Sequence, residues 1–362
     1  MCVAIYHTIW ITNLNASAFF ENGPVLIDLF FIFSGFLMFT LYGGMSTGEE
    51  AIRFFRRRLA RLYPVHFTLT MVVLLYAIVR LVAHHAGITT LDPGEAVPLS
   101  AAADDNVWSL LSNLLLIQAW GVEDGLTYNV PAWTISAEMA TYIVFAAICV
   151  WVPLRKPWHF GLLGTGVAAI YATLALAKPD MNITYDLAVW RCLAGFGTGV
   201  LCARLHPHVA RTFAEMGRMM ATLWELAAAL GFGAFVIWLP GKGQFLVGLF
   251  GFLFVAVFAQ DRGLVSAALA RAPFQHLGKL SYSIYMVHFI IAIAFGIFAA
   301  EVMPRVFGPE WNGWSWAGDL LLLPYLAAVW VAAMLLYHWV EAPAARALRE
   351  RHPRVRALPE TA

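Results

Sequence analysis

Charge is what this 362-residue sequence has least of: Asp, Glu, Lys and Arg together make up 12% of it. A soluble domain carries about 25%, and a water-facing surface cannot be tiled with half of that. An ordinary cytosolic enzyme is therefore excluded. So is disorder, which requires low hydrophobicity and high charge. The net charge of +1 leaves no concentrated basic surface of the kind nucleic acid demands. Cysteine is scarce too. Cys2, Cys149, Cys192 and Cys202 lie far apart in or beside apolar stretches, without CxxC spacing; they read as small buried residues and offer no disulfide framework. The pairs His84-His85 and His206-Pro207-His208 lack cysteines or carboxylates at ligand spacing, so no bound metal is expected. No GxGxxG, Walker loop or HExxH is present. Residues 1–11 lack the basic flank and small-residue cleavage site of a signal peptide.

What the sequence does have is apolar length. Its composition is 61% hydrophobic, with 14 Trp and 26 Phe, side chains suited to lipid and its interfaces. Apolar runs bounded by Gly, Pro or charge fall near 1–12, 24–44, 62–82, 132–152, 160–177, 187–204, 221–239, 243–260, 280–300 and 318–339. At about 20 residues per span, these predict an all-α, polytopic integral membrane protein with about ten transmembrane helices. The run at 1–12 is shorter than a span, so part of helix one is expected upstream of Met1. The apolar stretch around Trp108–Trp120 is also too short to cross, and is expected to be re-entrant or interfacial. Residues 1–343 read as one transmembrane domain and 344–362 as a basic tail. Of the 23 Lys and Arg, 18 fall in the alternating loops 45–61, 153–159, 204–220, 261–279 and 340–362. By the positive-inside rule those loops, and the C-terminus with them, face the cytoplasm. The segment 83–131 lies on the opposite side. It contains Asp92, Glu95, Asp104, Asp105, Glu123 and Asp124 and no Lys or Arg.

Ionisable residues inside spans are costly and therefore informative. His7 lies roughly 9 Å below the outer turn near Asn13, at 1.5 Å per residue. Asp28 sits four residues into the second helix from Pro24, and Glu138 seven residues beyond Pro131. All three enter from the outer side. An imidazole beside a carboxylate is the equipment of general-base catalysis on a hydroxyl; a proton relay or a structural polar cluster uses the same residues. The second constellation is Arg56-Arg57-Arg58-Leu59-Ala60-Arg61-Leu62-Tyr63-Pro64. Arg58 and Arg61 share a helical face and could grip phosphates bidentately, or they could simply anchor the helix at the cytoplasmic interface.

Several ordered segments together resemble the acyltransferase-3 family of bacterial integral-membrane O-acyltransferases. They are Tyr6-His7, the run Ile27-Asp28-Leu29-Phe30-Phe31-Ile32-Phe33-Ser34-Gly35-Phe36, Arg57 to Pro64, Trp133-Thr134-Ile135-Ser136-Ala137-Glu138, Leu277 to His288, and Glu341-Ala342-Pro343. The family also shows ten spans. Its members usually carry an arginine about ten residues before the helix-one histidine, a position that would precede Met1. The resemblance implies that His7 is the catalytic base. It also implies that Arg57, Arg58 and Arg61 bind acyl-CoA at the cytoplasmic side, with Arg58 and Arg61 facing its phosphates. Acetyl is the default acyl group, with succinyl or longer chains compatible. The implied acceptor is an extracytoplasmic carbohydrate or glycolipid, and the implied location is the bacterial plasma membrane. Glu138 is favoured over Asp28 as functional partner of His7; Asp28 is expected to tie the first two helices together. A proton-coupled secondary transporter is the alternative from another class, and a catalytically silent membrane scaffold a further one. Transporters often carry paired hydropathy repeats, and none is found here.

Overall fold

In hydrocarbon every backbone N–H and C=O must be satisfied within the segment that carries it, so an apolar run has one local solution, the α-helix. The computed structural model describes residues 1–88, 95–152, 156–308, 310–311 and 315–351, and no strand occurs among them. Asp92, Arg155 and the tail beyond Arg351 lie outside the described residues. The helices are α1 (Cys2–Tyr6), α2 (Ala18–Glu21), α3 (Leu26–Tyr42), α4 (Gly48–His85), α5 (Val107–Leu114), α6 (Trp133–Trp151), α7 (Pro157–Ala177) and α8 (Ala188–Ala214). They continue with α9 (Arg218–Trp238), α10 (Val247–Phe258), α11 (Leu264–Leu269), α12 (Ala272–Glu301), α13 (Met303–Phe307), α14 (Ser315–Leu336) and α15 (Ala342–Arg351). Among the described residues, eight helical segments are long and apolar enough to cross a membrane. Of the two remaining runs, 187–204 is the long helix α8, made less apolar by Arg191 and Arg204, and 1–12 holds only the five-residue α1. Large side chains such as Leu75, Leu230 and Leu323 are exposed on the outer faces, where lipid would lie.

The stretch 45–61, counted with the loops for its charge, is helical from Gly48 onward, which puts Arg58 and Arg61 on the helical face expected for them. Thr47 starts α4 with a capping box: its Oγ1 accepts from Glu50 N, and Glu50 Oε2 accepts from Thr47 N, both at 3.3 Å. From there α4 runs 38 residues, about 57 Å at 1.5 Å per residue. That is nearly twice the ~30 Å hydrocarbon core, so the arginines extend the span beyond the apolar region as one rod. Tyr63 and His66 on this rod donate to Leu114 O (3.0 Å) and Asn113 O (2.9 Å), which pins the end of α5 against α4. From the other side Ser136 Oγ donates to Leu116 O (2.8 Å) and accepts from Ala119 N (3.1 Å). The short apolar segment thus enters and turns back between α4 and α6, with Leu116 in the left-handed region at φ 58°.

The most extensive helix–helix contact joins α3 to α8. It is close because it is lined with glycine. A Cβ at Gly35 would lie 2.0 Å from Phe196 O, and one at Gly199 would lie 2.0 Å from Ile32 O. Small residues are what let helices approach where no hydrophobic effect drives them together. Inside this seam Asp28 and Arg191, both fully buried, form a two-pronged ion pair: Nε to Oδ1 at 3.0 Å and Nη2 to Oδ2 at 2.7 Å. Arg191 also donates to Ile183 O (2.8 Å) and Pro24 O (2.6 Å), and its guanidinium stands 5.2 Å from the Trp133 ring.

Removing one member of a buried pair costs about 3–5 kcal/mol, because the other charge is left uncompensated. Asp28→Asn should therefore lower the thermal midpoint of the detergent-solubilised protein and its yield in membranes before any effect on chemistry. An unchanged midpoint in a thermal scan would contradict this account of the seam.

Candidate active site

α1 is too short to be stable alone, and tertiary contacts hold it. Trp10 Nε1 donates to Gly318 O (3.1 Å), and Asn13 donates twice to the Asp319 carboxylate, from N at 2.9 Å and Nδ2 at 2.7 Å. Tyr325 OH, on α14, reaches Ala4 O (3.0 Å) and His288 O (3.3 Å). Together these set the end of α1 against the middle of α12. There the half-buried His7 ring meets the fully buried His288, with His288 Nε2 3.0 Å from His7 Nδ1.

Hydrogen-bond chemistry assigns the protons of this pair. His288 Nδ1 lies 2.6 Å from Tyr285 O, and a carbonyl only accepts, so Nδ1 carries the hydrogen. In the neutral ring His288 Nε2 is then an acceptor. His7 Nδ1 must donate to it, and donation also suits Val3 O, 3.0 Å from the same nitrogen. The bare, basic nitrogen of the pair is therefore His7 Nε2.

His288 also lines a cavity of about 370 Å³. Leu26, Ile27, Phe30, Ile135 and Ile284 make its wall largely apolar, and Glu138 is its one carboxylate. Glu138 is buried and hydrogen-bonded: Ser34 Oγ (2.5 Å) and Tyr142 OH (2.6 Å) both donate to its Oε1. Asp28 is committed to Arg191. Among the described residues no hydrogen bond joins His7, Asp28 and Glu138 to one another: Asp28 and Glu138 lie in α3 and α6, and His7 in the turn that follows α1. Arg58 lies against Tyr42, its Nη2 3.4 Å from the hydroxyl and its guanidinium carbon 5.5 Å from the ring centre. Arg58 Nε is buried and finds no acceptor among the described residues. Arg57 is half-buried and Arg61 exposed. No group of three or more His, Cys, Asp or Glu side chains that could hold a metal ion occurs among the described residues.

The acyltransferase domain family profile matches residues 1–338. Acyltransferase MdmB of Streptomyces mycarofaciens is 26% identical, over 91% of this chain and 83% of its own length. Peptidoglycan O-acetyltransferase OatA of Listeria monocytogenes is 23% identical over 89% of this chain, which spans only 51% of the Listeria protein. No solved structure matches.

Sequence reasoning about depth gives no role to His288 or Arg191. Their partners, His7 and Asp28, lie 281 and 163 positions away. The one available signal for His288 is that it closes the Leu277–His288 segment. The proton assignment is open to direct measurement. In ¹⁵N-histidine-labelled protein near neutral pH, His7 and His288 should both appear as the less common Nδ1–H tautomer, and the signal that His7→Gln removes should be one of these. If the His7 signal shows Nε2–H instead, the base assignment falls.

Proposed function

The chain belongs to the acyltransferase domain family, and from that premise we propose that it moves an acyl group, acetyl by default, from cytoplasmic acyl-CoA to a hydroxyl of an extracytoplasmic carbohydrate or glycolipid. The observation that carries the reading is the hydrogen bond between His7 and His288, the second of which lines a mostly apolar cavity. Membership of an acyltransferase family displaces the transporter reading. The carbohydrate acceptor is supported by the name of the Listeria relative, a peptidoglycan O-acetyltransferase.

In this mechanism His7 Nε2 takes the proton of the acceptor hydroxyl as its oxygen attacks the thioester carbon. A C–O bond forms and the C–S bond breaks. The imidazolium then returns the proton to the departing CoA thiolate, so that one acyl-CoA and one alcohol give one ester and one free thiol. His288 does not touch the acceptor. It holds His7 in the tautomer that leaves Nε2 bare, the part a carboxylate plays in a Ser-His-Asp triad. Arg58 and Arg61 hold the donor's phosphates in the cytoplasm, a side supported for their end of α4 by the 18-to-5 bias of basic residues. The unpartnered Arg58 Nε is a donor available to such an anion. The plasma membrane is the location consistent with this division of donor and acceptor.

His7→Ala should lower acyl transfer by about 10²–10⁴ while membrane yield and thermal midpoint stay at wild-type values. Wild-type turnover, read as thiol release with an added glycan acceptor, would refute the base. Arg58→Lys combined with Arg61→Lys keeps the charge and loses the planar fork. Insertion should be normal, and KM for acetyl-CoA should rise roughly tenfold or more with KM for the acceptor unchanged. Equal donor KM values would make these arginines membrane anchors only.

A further inference from the structure

The cavity that His288 lines also reaches Leu277. These residues lie eleven positions apart on α12, about 16 Å of helix at 1.5 Å per residue. The lining between them is mostly hydrocarbon. Of the four hydroxyls on it three donate to backbone carbonyls, Thr134 to Pro131 O (3.0 Å), Ser281 to Gly278 O (2.8 Å) and Tyr282 to Leu62 O (2.5 Å), and the fourth is that of Tyr285. Glu138 differs. Two hydroxyls converge on its Oε1, while among the described residues no donor reaches Oε2. A carboxylate oxygen facing an apolar cavity without a donor is costly. The carboxyl cannot turn to share the burden, because Ser34 and Tyr142 hold it by the other oxygen.

A slender ligand with methylene groups along its length and an N–H part-way matches such a wall. Acyl pantetheine is one: short methylene stretches separated by two amides, with the thioester at its tip. Resting on the donor reading above, we propose that Glu138 Oε2 receives an amide N–H of the donor's pantetheine arm and sets how far the thioester advances towards His288. Glu138 is then a donor-binding residue, with Ser34 and Tyr142 fixing its orientation. The contact is sequence-blind to the acyl group and selects for amide-containing thioesters.

The test is a cycle between protein and ligand. Purified protein in lipid vesicles is assayed with acetyl-CoA and with two acetyl-CoA analogues, each replacing one amide N–H by an ester oxygen. For the wild-type protein one analogue should lose roughly tenfold or more in kcat/KM, as expected for a hydrogen bond to a charged group. Glu138→Gln should lose a similar factor with acetyl-CoA and show little further loss with that analogue, because the two changes remove the same contact. A merely structural Glu138 would leave the analogue penalty intact in the variant, and that result overturns the proposal. So does a wild-type protein indifferent to both replacements. Should Glu138→Gln fail to accumulate, Glu138→Asp, which withdraws the carboxylate by one methylene, gives the same reading. No transfer from unmodified acetyl-CoA by the wild-type protein would overturn the donor reading as well; a penalty independent of residue 138 overturns this inference alone.

Discussion

An ion pair sealed away from water holds the two most closely packed helices of this protein together. Asp28 on α3 and Arg191 on α8 satisfy each other with two hydrogen bonds, and two more of the guanidinium's five N–H donors end on Ile183 O and Pro24 O. Burial of two charges is expensive, and it is repaid only where geometry and further hydrogen bonds are this complete. The glycines at 35 and 199 make the approach possible, and the ion pair fixes its register. The walls of the cavity follow from this. α3 brings Leu26, Ile27 and Phe30 to the lining and Ser34 to Glu138, while α8 packs in turn on α6, α7 and α10. A shift of α3 along α8 would move the cavity wall and the support of its carboxylate together.

The spans were legible because membrane insertion imposes a length and an apolarity that can be read residue by residue. Nine of the ten expected runs correspond to long helices or helical segments in place. The chemistry-bearing residues His7, Asp28 and Glu138 were legible for the complementary reason: an ionisable group in an apolar run is conspicuous. Their partners were not. The rise per residue gives the depth of a side chain, but its azimuth depends on which helices surround it, and that is a property of packing. Depth alone suggests that His7 and the two carboxylates converge. Rotation instead turns Asp28 towards Arg191 and Glu138 towards Ser34 and Tyr142, and leaves His7 to His288. Arg191, at the start of α8, resembles any interfacial cation until Asp28 is placed opposite it. The Arg56–Arg61 stretch falls in a range counted with the loops, although its spacing already suits a helical face. Charges suggest a loop, yet Arg, Leu and Ala are good helix formers, and the Thr47–Glu50 cap starts the helix ahead of them.

The staple between the beginning and the end of the chain has a bearing on biosynthesis. Trp10 and Asn13 are tied to Gly318 and Asp319, Ala4 to Tyr325, and His7 to His288. A chain emerging from the ribosome presents the first members of these pairs long before the second. Closing so large a loop comes late in folding, so residues 1–15 must wait at the membrane surface or find temporary partners while the intervening spans insert. The last helices to arrive bring both the clamp and the second imidazole. On the proposed mechanism, acyl transfer is thereby withheld from incomplete chains, and an insertion error that misplaces α12 or α14 separates His7 from His288.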